Sequence, residues 1–221
     1  MSALVPLALF DLDGTLVDSA ADLAAAVNDV RALLTLATVP VAQVRGAISV
    51  GARAILASGI PEISDAEREA RLDDFLDAYR ARIGRHGGLF DGIAQVLEQL
   101  EAAGSRWGVV TNKREDLARI VMDRLDLSAR CAVLIGGDTL PRCKPDPMPV
   151  LAACERVGMR PSQGVFAGDD ARDIAAGRGA GMRTIAVRWG FHAADDEPAI
   201  WGADLVVDTP VDLLRQGALR A

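Results

Sequence analysis

The chain has 221 residues, room for one sizeable core with a modest insertion and too little for two full catalytic domains. Half of its residues are apolar and a quarter are charged, a globular composition that excludes a disordered, collagen-like or coiled-coil chain. With 24 basic against 31 acidic residues the net charge is −7, which argues against nucleic acid and against an anionic membrane surface as partners. Three cysteines without a Cys-x-x-Cys pair, and two histidines far apart in sequence, provide no framework for disulfides or zinc. No basic stretch leads into an apolar core at the N-terminus, and no apolar run reaches the roughly eighteen residues that span a bilayer. The expectation is a cytoplasmic protein with no membrane partner, monomeric or weakly dimeric.

Short apolar runs alternate with helix-period stretches, the pattern of a parallel sheet covered by helices on both faces. Residues 4–10 predict the first strand. From Ser19 to His86 the alternation stops and the chain reads as helices only. Ser19 caps one whose apolar face is Leu23, Val27, Val30 and Leu34; Leu72, Phe75, Leu76 and Tyr79 mark another beside the charged run 65–74. Ile93, Val96, Leu97 and Leu100 then form a helical face with Asp91 as its N-cap and Gly104 as its stop. Strands are predicted at 106–110, 132–135, 164–167, 184–187 and 205–207, with a further helical face at Leu117, Ile120, Val121 and Leu125. The fold class is therefore α/β: a core from residues 1–18 and 87–221, and a helical insert, 19–86, after the first strand. In open parallel sheets ligands bind beyond the carboxyl ends of the strands, so an insert there lies over the site as a lid.

Four of those carboxyl ends carry chemistry. Phe10-Asp11-Leu12-Asp13-Gly14-Thr15 projects two carboxylates where the first strand leaves the sheet, and like charges so close need a cation or a shared proton. A divalent metal held by hard oxygens, with one carboxylate left as nucleophile or acid-base group, answers that need; a solvated acidic turn is the bland alternative. Thr111 and Asn112 offer a hydroxyl and an amide to phosphate oxygens, or a simple helix cap. Lys144, beside Pro145, is a point charge suited to a phosphoryl dianion, or a solvated lysine. Gly168-Asp169-Asp170-Ala171-Arg172-Asp173 ends the next strand with acids that complete a metal site or cap the following helix.

In that order and at those strand ends, the four motifs resemble the haloacid dehalogenase superfamily of phosphotransferases over essentially the whole chain. The resemblance implies a Rossmann-like core with a helical cap domain over 19–86. It makes Asp11 the nucleophile that becomes an aspartyl phosphate, and Asp13 the group that protonates the leaving alkoxide and then activates water. Thr111, Asn112 and Lys144 would hold the phosphoryl oxygens. Mg2+ would sit between Asp11, the carbonyl of Asp13 and Asp169, supported by Asp173, with Asp170 beside the metal waters or capping the next helix. True dehalogenases of the superfamily lack the second aspartate and its transport ATPases carry Thr there, so Asp13 selects a phosphomonoesterase. No lysine lies in 19–86 for the Schiff-base chemistry of the related phosphonate hydrolases. A sugar-phosphate mutase and a catalytically silent phosphate-binding module remain as alternatives, the second opposed by the presence of every catalytic group.

Within the superfamily the chain resembles the phosphoglycolate phosphatase group, and, through Ile48–Ala54, Trp107–Lys113 and Trp201–Asp208, the N-acetylmuramic acid 6-phosphate phosphatases. Both substrates are small phosphorylated metabolites bearing a carboxylate. Arg53, entering a helix after Gly51, is the residue expected to bind that carboxylate. Trp189 and Phe191, after the fifth strand, either face a sugar or pack beneath the cap, the reading preferred here.

Overall fold

In the computed structural model, which describes residues 3–192, 196–215 and 217–220, six strands form one parallel sheet in the order β5-β4-β1-β6-β7-β8. They are β1 (Leu7–Phe10), β4 (Arg106–Val110), β5 (Leu134–Ile135), β6 (Gly164–Gly168), β7 (Arg183–Val187) and β8 (Leu205–Val207). All four β1 side chains are buried, as a strand covered on both faces requires. Its residues alternate between two cores. Ala8 and Phe10 join Val109, Val165, Ala167 and Ile185 on one face; Leu7 and Leu9 join Val110 and Phe166 on the other. The strand begins at Leu7, later than the apolar run, because Pro6 has no N–H for the ladder. Leu4 instead bridges antiparallel to Arg220.

Helices α6 (Ile93–Ala102) and α7 (Glu115–Arg124) bury Val96, Leu97, Leu117 and Val121 in the first core. Helix α8 (Met148–Arg156) closes the second with Val150 and Ala153, and α9 (Ala171–Gly179) with Ala176. A short α10 (Asp212–Arg215) adds Leu213 to the first. The N-cap of α6 is Gly92, at φ +93, and not Asp91; no side chain caps this helix.

Between β2 (Val17–Asp18) and β3 (Gly88–Leu89), which pair as a two-stranded antiparallel ribbon, lie five helices. They are α1 (Ala20–Leu33), α2 (Val41–Arg45), α3 (Ala52–Gly59), α4 (Asp65–Ala70) and α5 (Leu72–Arg82). Two-residue strands carry no readable period, so the ribbon is invisible in the sequence. Helix α4 hides in the charged run: it buries nothing and is held by a capping box in which Ser64 and Glu67 bond each other's backbone N–H. Ser19 occupies the N-cap of α1 without bonding it; Asp18 Oδ1 accepts from the Ala20 N–H at 3.2 Å instead, and Ser19 Oγ is buried without a partner. Among the described residues no helix is long and apolar enough to cross a membrane.

Asp22 ties the two connections between the sheet and the helical segment. Its carboxylate, buried on α1, accepts from the backbone N–H groups of Gly84 (2.8 Å), His86 (2.9 Å) and Gly87 (3.3 Å). Removing the acceptor strands three donors. Asp22→Ala is therefore expected to lower unfolding stability by about 2–3 kcal/mol, read as a lower urea midpoint with unchanged slope.

Candidate active site

The sheet order defines the place. From β1 the chain crosses to β4 and β5 on one side, while β6 pairs with β1 on the other, so a crevice opens at the carboxyl ends of β1, β4 and β6. Asp11 and Asp13 leave β1 there, Thr111 follows β4, Lys144 lies in the loop between β5 and α8, and Asp169 follows β6.

Lys144 joins these groups. Its ammonium, with the side chain 2% exposed, lies 2.9 Å from Asp11 Oδ1 and 2.6 Å from Asp173 Oδ1, and donates to the Val110 carbonyl at 2.8 Å. Burial works to strip its proton, but the charges of Asp11 and Asp173 outweigh burial and hold its pKa above the ordinary lysine value. Asn112 fixes the loop that carries it: its Oδ1 accepts from the Lys144 N–H at 3.0 Å and its Nδ2 donates to the Lys144 carbonyl at 2.9 Å. Asn112 was expected to donate to phosphate oxygens; its side-chain amide is spent on the Lys144 peptide, so it acts on the site through that lysine.

Asp11, Asp169 and Asp173 offer carboxylate oxygens within 4.8 Å of one another. Three carboxylates against one ammonium leave two uncompensated negative charges when all are ionised. Burial, and then the Asp11 charge, push Asp169 up to about 7. Burial also drives Asp173 well above its ordinary value, with Lys144 opposing and Asp11 and Asp169 adding to the rise. Two glycines make room for Asp169: a Cβ on Gly14, at φ +84, would lie 2.0 Å from its Oδ2, and one on Gly190 2.2 Å from its Cβ. Hard oxygen donors, surplus negative charge and low solvent access are the donor set of a divalent cation such as Mg2+, and these residues fit one. Asp169 is oriented by Thr15 Oγ1 and the Phe191 N–H, both donating at 2.9 Å. The carboxylate of Asp13 is not in this group.

Asp13 faces Lys113 instead. Lys113 Nζ lies 2.8 and 3.0 Å from the two Asp13 oxygens and 2.7 Å from the hydroxyl of Tyr79 on α5, with its side chain 8% exposed. Burial is again outweighed, here by Asp13 and Tyr79, so the lysine pKa is raised. Burial pushes the Tyr79 phenol up to about 12, leaving it a neutral donor and acceptor. No role for Lys113 follows from the sequence alone; its position two residues beyond Thr111, after a strand end, is the available signal.

Asp170 caps α9, accepting from the Arg172 N–H at 2.9 Å, and also binds the Arg172 guanidinium at 2.7 and 2.6 Å. Arg172 in turn donates to the Ser49 carbonyl of the helical segment at 2.5 Å. Asp170 thus serves the contact between the two parts of the chain. Arg53 is not brought into the site: its guanidinium pairs with Glu69 at 2.6 Å on the outside, across α3 and α4, where both partners are solvated. Trp189 donates to the Thr15 carbonyl at 3.0 Å, and Phe191 is buried against Phe90, so both pack and neither faces the cavity.

Above the cluster opens a cavity of about 430 Å3. Asp11, Asp13, Thr111, Lys113 and Lys144 form its floor and wall, and Ile48, Ile55, Phe75, Leu76 and Tyr79 come from the helical segment.

A family model described as haloacid dehalogenase-like hydrolase matches residues 8–187. The chain belongs to this family. A phosphoglycolate phosphatase of Xanthomonas campestris pv. campestris is 47% identical over 210 residues, covering 95% of each chain. An N-acetylmuramic acid 6-phosphate phosphatase of Pseudomonas aeruginosa is 44% identical over 207 residues, covering 93% of this chain and 92% of its own. The crystal structure of a predicted phosphoglycolate phosphatase from Haemophilus somnus 129PT superposes with a TM-score of 0.85 at 27% identity, over 96% of this chain and 97% of the other. With relatives of these names along nearly its whole length, this haloacid dehalogenase-like hydrolase is a phosphatase of its family.

Two outcomes are expected. Because the folded pKa of Asp169 lies above its unfolded value, its contribution to stability is full below about pH 4 and is lost as pH rises through about 7. In EDTA the melting temperature should therefore fall across that window, and MgCl2 should restore more of it at pH 8 than at pH 5; in Asp169→Asn this widening gap should shrink. Arg53→Ala should leave KM for any phosphate ester within about twofold of the parent, since the side chain does not reach the cavity.

Proposed function

We propose that the chain is a Mg2+-dependent phosphomonoesterase that works through an aspartyl phosphate on Asp11 and acts on a carboxylate-bearing phosphate ester, with N-acetylmuramic acid 6-phosphate as the best-fitting substrate. The observation that carries this reading is the buried Asp11–Lys144–Asp173 arrangement beneath a cavity whose wall holds Asp13 and Thr111. Residues 1–18 and 87–221 act as the catalytic core, and 19–86 as a cap over the carboxyl edge of its sheet.

Asp11 attacks phosphorus with a carboxylate oxygen, forming an O–P bond as the ester P–O bond breaks. Asp13 gives the departing alkoxide its proton. Water then attacks the aspartyl phosphate, Asp13 takes up its proton, and inorganic phosphate leaves with Asp11 restored. Thr111 Oγ1 binds a phosphoryl oxygen, and Lys144, tethered to Val110 and Asp173, holds its positive charge at the reacting end of Asp11. Asp11, the carbonyl of Asp13 and Asp169 would hold Mg2+, with Asp173 behind them, and the bound ion would supply positive charge to polarise the phosphoryl group. The cap's apolar residues exclude bulk water from the phosphoryl group.

Cavity volume favours the larger of the two esters. About 430 Å3 falls in the range that accommodates drug-sized ligands, well beyond a two-carbon acid, and its apolar wall suits the body of an acylated sugar. With MgCl2 present, kcat/KM is expected to be higher on N-acetylmuramic acid 6-phosphate than on 2-phosphoglycolate; the reverse order would reassign the substrate. Asp13→Asn should lower kcat by about 10²–10⁴-fold. Asp11→Asn should release no phosphate, and turnover by it would remove Asp11 as nucleophile.

A further inference from the structure

Among the described residues the pocket has four candidate cations, and three are committed. Lys144 uses its ammonium on Asp11, Asp173 and the Val110 carbonyl. Arg172 is bound by Asp170 through Nε and Nη2 and reaches the Ser49 carbonyl. Arg114 pairs with Asp116 at 3.2 Å, both well exposed. Lys113 differs: its side chain is 8% exposed, it lines the cavity, and its one charged partner among the described residues is Asp13, the carboxylate that must turn to the ester oxygen in the reaction. Its other contacts, the Tyr79 hydroxyl at 2.7 Å and the Tyr79 ring with its centroid 4.4 Å away, are neutral and come from the cap.

From this geometry, and resting on the phosphatase reading above, we infer that Lys113 is the specificity-determining residue that receives the substrate's carboxylate, with Tyr79 as its fixed anchor. When Asp13 bonds the ester oxygen, Lys113 stands about two hydrogen-bond lengths, or roughly 6 Å, from that oxygen, on the leaving-group side. A carboxylate carried by the leaving group takes up the ammonium that Asp13 gives up, and the buried charge never loses a partner. An uncharged leaving group provides no such exchange and leaves Lys113 holding Asp13 away from the ester. Tyr79 keeps the ammonium in place throughout, which makes the cap helix α5 part of the recognition. The role expected of Arg53 passes to a lysine on the core.

The test compares ester pairs that differ in the carboxylate. One pair is N-acetylmuramic acid 6-phosphate and N-acetylglucosamine 6-phosphate; the other is 2-phosphoglycolate and 2-hydroxyethyl phosphate. The wild-type chain is expected to prefer the carboxylate member of at least one pair by about tenfold or more in kcat/KM. Lys113→Gln should bring that preference to within about threefold, chiefly through a raised KM on the carboxylate ester, and Lys113→Arg should keep much of it. Melting curves confirm that each variant is folded; if the Gln variant is not, Tyr79→Phe, which removes one anchor and keeps the ring, should show a smaller loss of preference in the same direction. Equal loss of kcat on both members in Lys113→Gln, with the preference intact, would overturn the inference by making the lysine a prop for Asp13, and would leave the phosphatase reading standing. A wild-type chain that hydrolyses both members equally would overturn the carboxylate-bearing substrate class and the inference together.

Discussion

A buried ammonium holds the site together. Lys144 lies where β1 and β4 end, and every acid around it depends on its charge: Asp11 on one side, Asp173 on the other, and Asp169 within reach of both. Taking such charges out of water is costly unless each has a partner, and for the ammonium the local structure meets that condition. The Val110 carbonyl takes up the third direction of the ammonium, and Asn112 pins its peptide from both sides. One lysine still cannot balance three carboxylates. Burial first, and then this surplus, raise the pKa values of Asp169 and Asp173, and the donor set fits a divalent cation.

Much of this was legible in the sequence because strand ends are marked twice, by the close of an apolar run and by the polar residues that follow. Asp11, Asp13, Thr111, Lys144 and Asp169 each announce themselves in that way, and the parallel sheet brings them together. What stayed hidden was pairing. Lys113 stands in the same motif as Thr111, but nothing in a linear reading says that it meets Asp13, a hundred residues earlier, and Tyr79 of the helical segment. Arg53 fails for the converse reason: a guanidinium after a glycine at a helix start looks like a ligand for an anion, while Glu69, sixteen residues on, already claims it. The strands β2 and β3 escaped because two residues set no period, and helix α4 because it buries no residue.

The helical segment contributes more than cover. It meets the core through Tyr79 on Lys113, through the Ser49 carbonyl on Arg172, and through the backbone turns that close on Asp22. The first two contacts end on Lys113 and Arg172, which bind Asp13 and Asp170, so a change in the segment's position is felt at Asp13 and at the start of α9. The third stands at the connections to the core, where three N–H groups share one carboxylate.

The nucleophilic role of Asp11 is tested most directly by trapping the covalent phosphate. Rapid quenching of the wild-type chain during turnover with Mg2+, borohydride reduction and peptide mass spectrometry should find the reduced acyl phosphate at Asp11, and none in Asp11→Asn. A chain that turns over with Asp11 unmodified, or with phosphate on another residue, would contradict it.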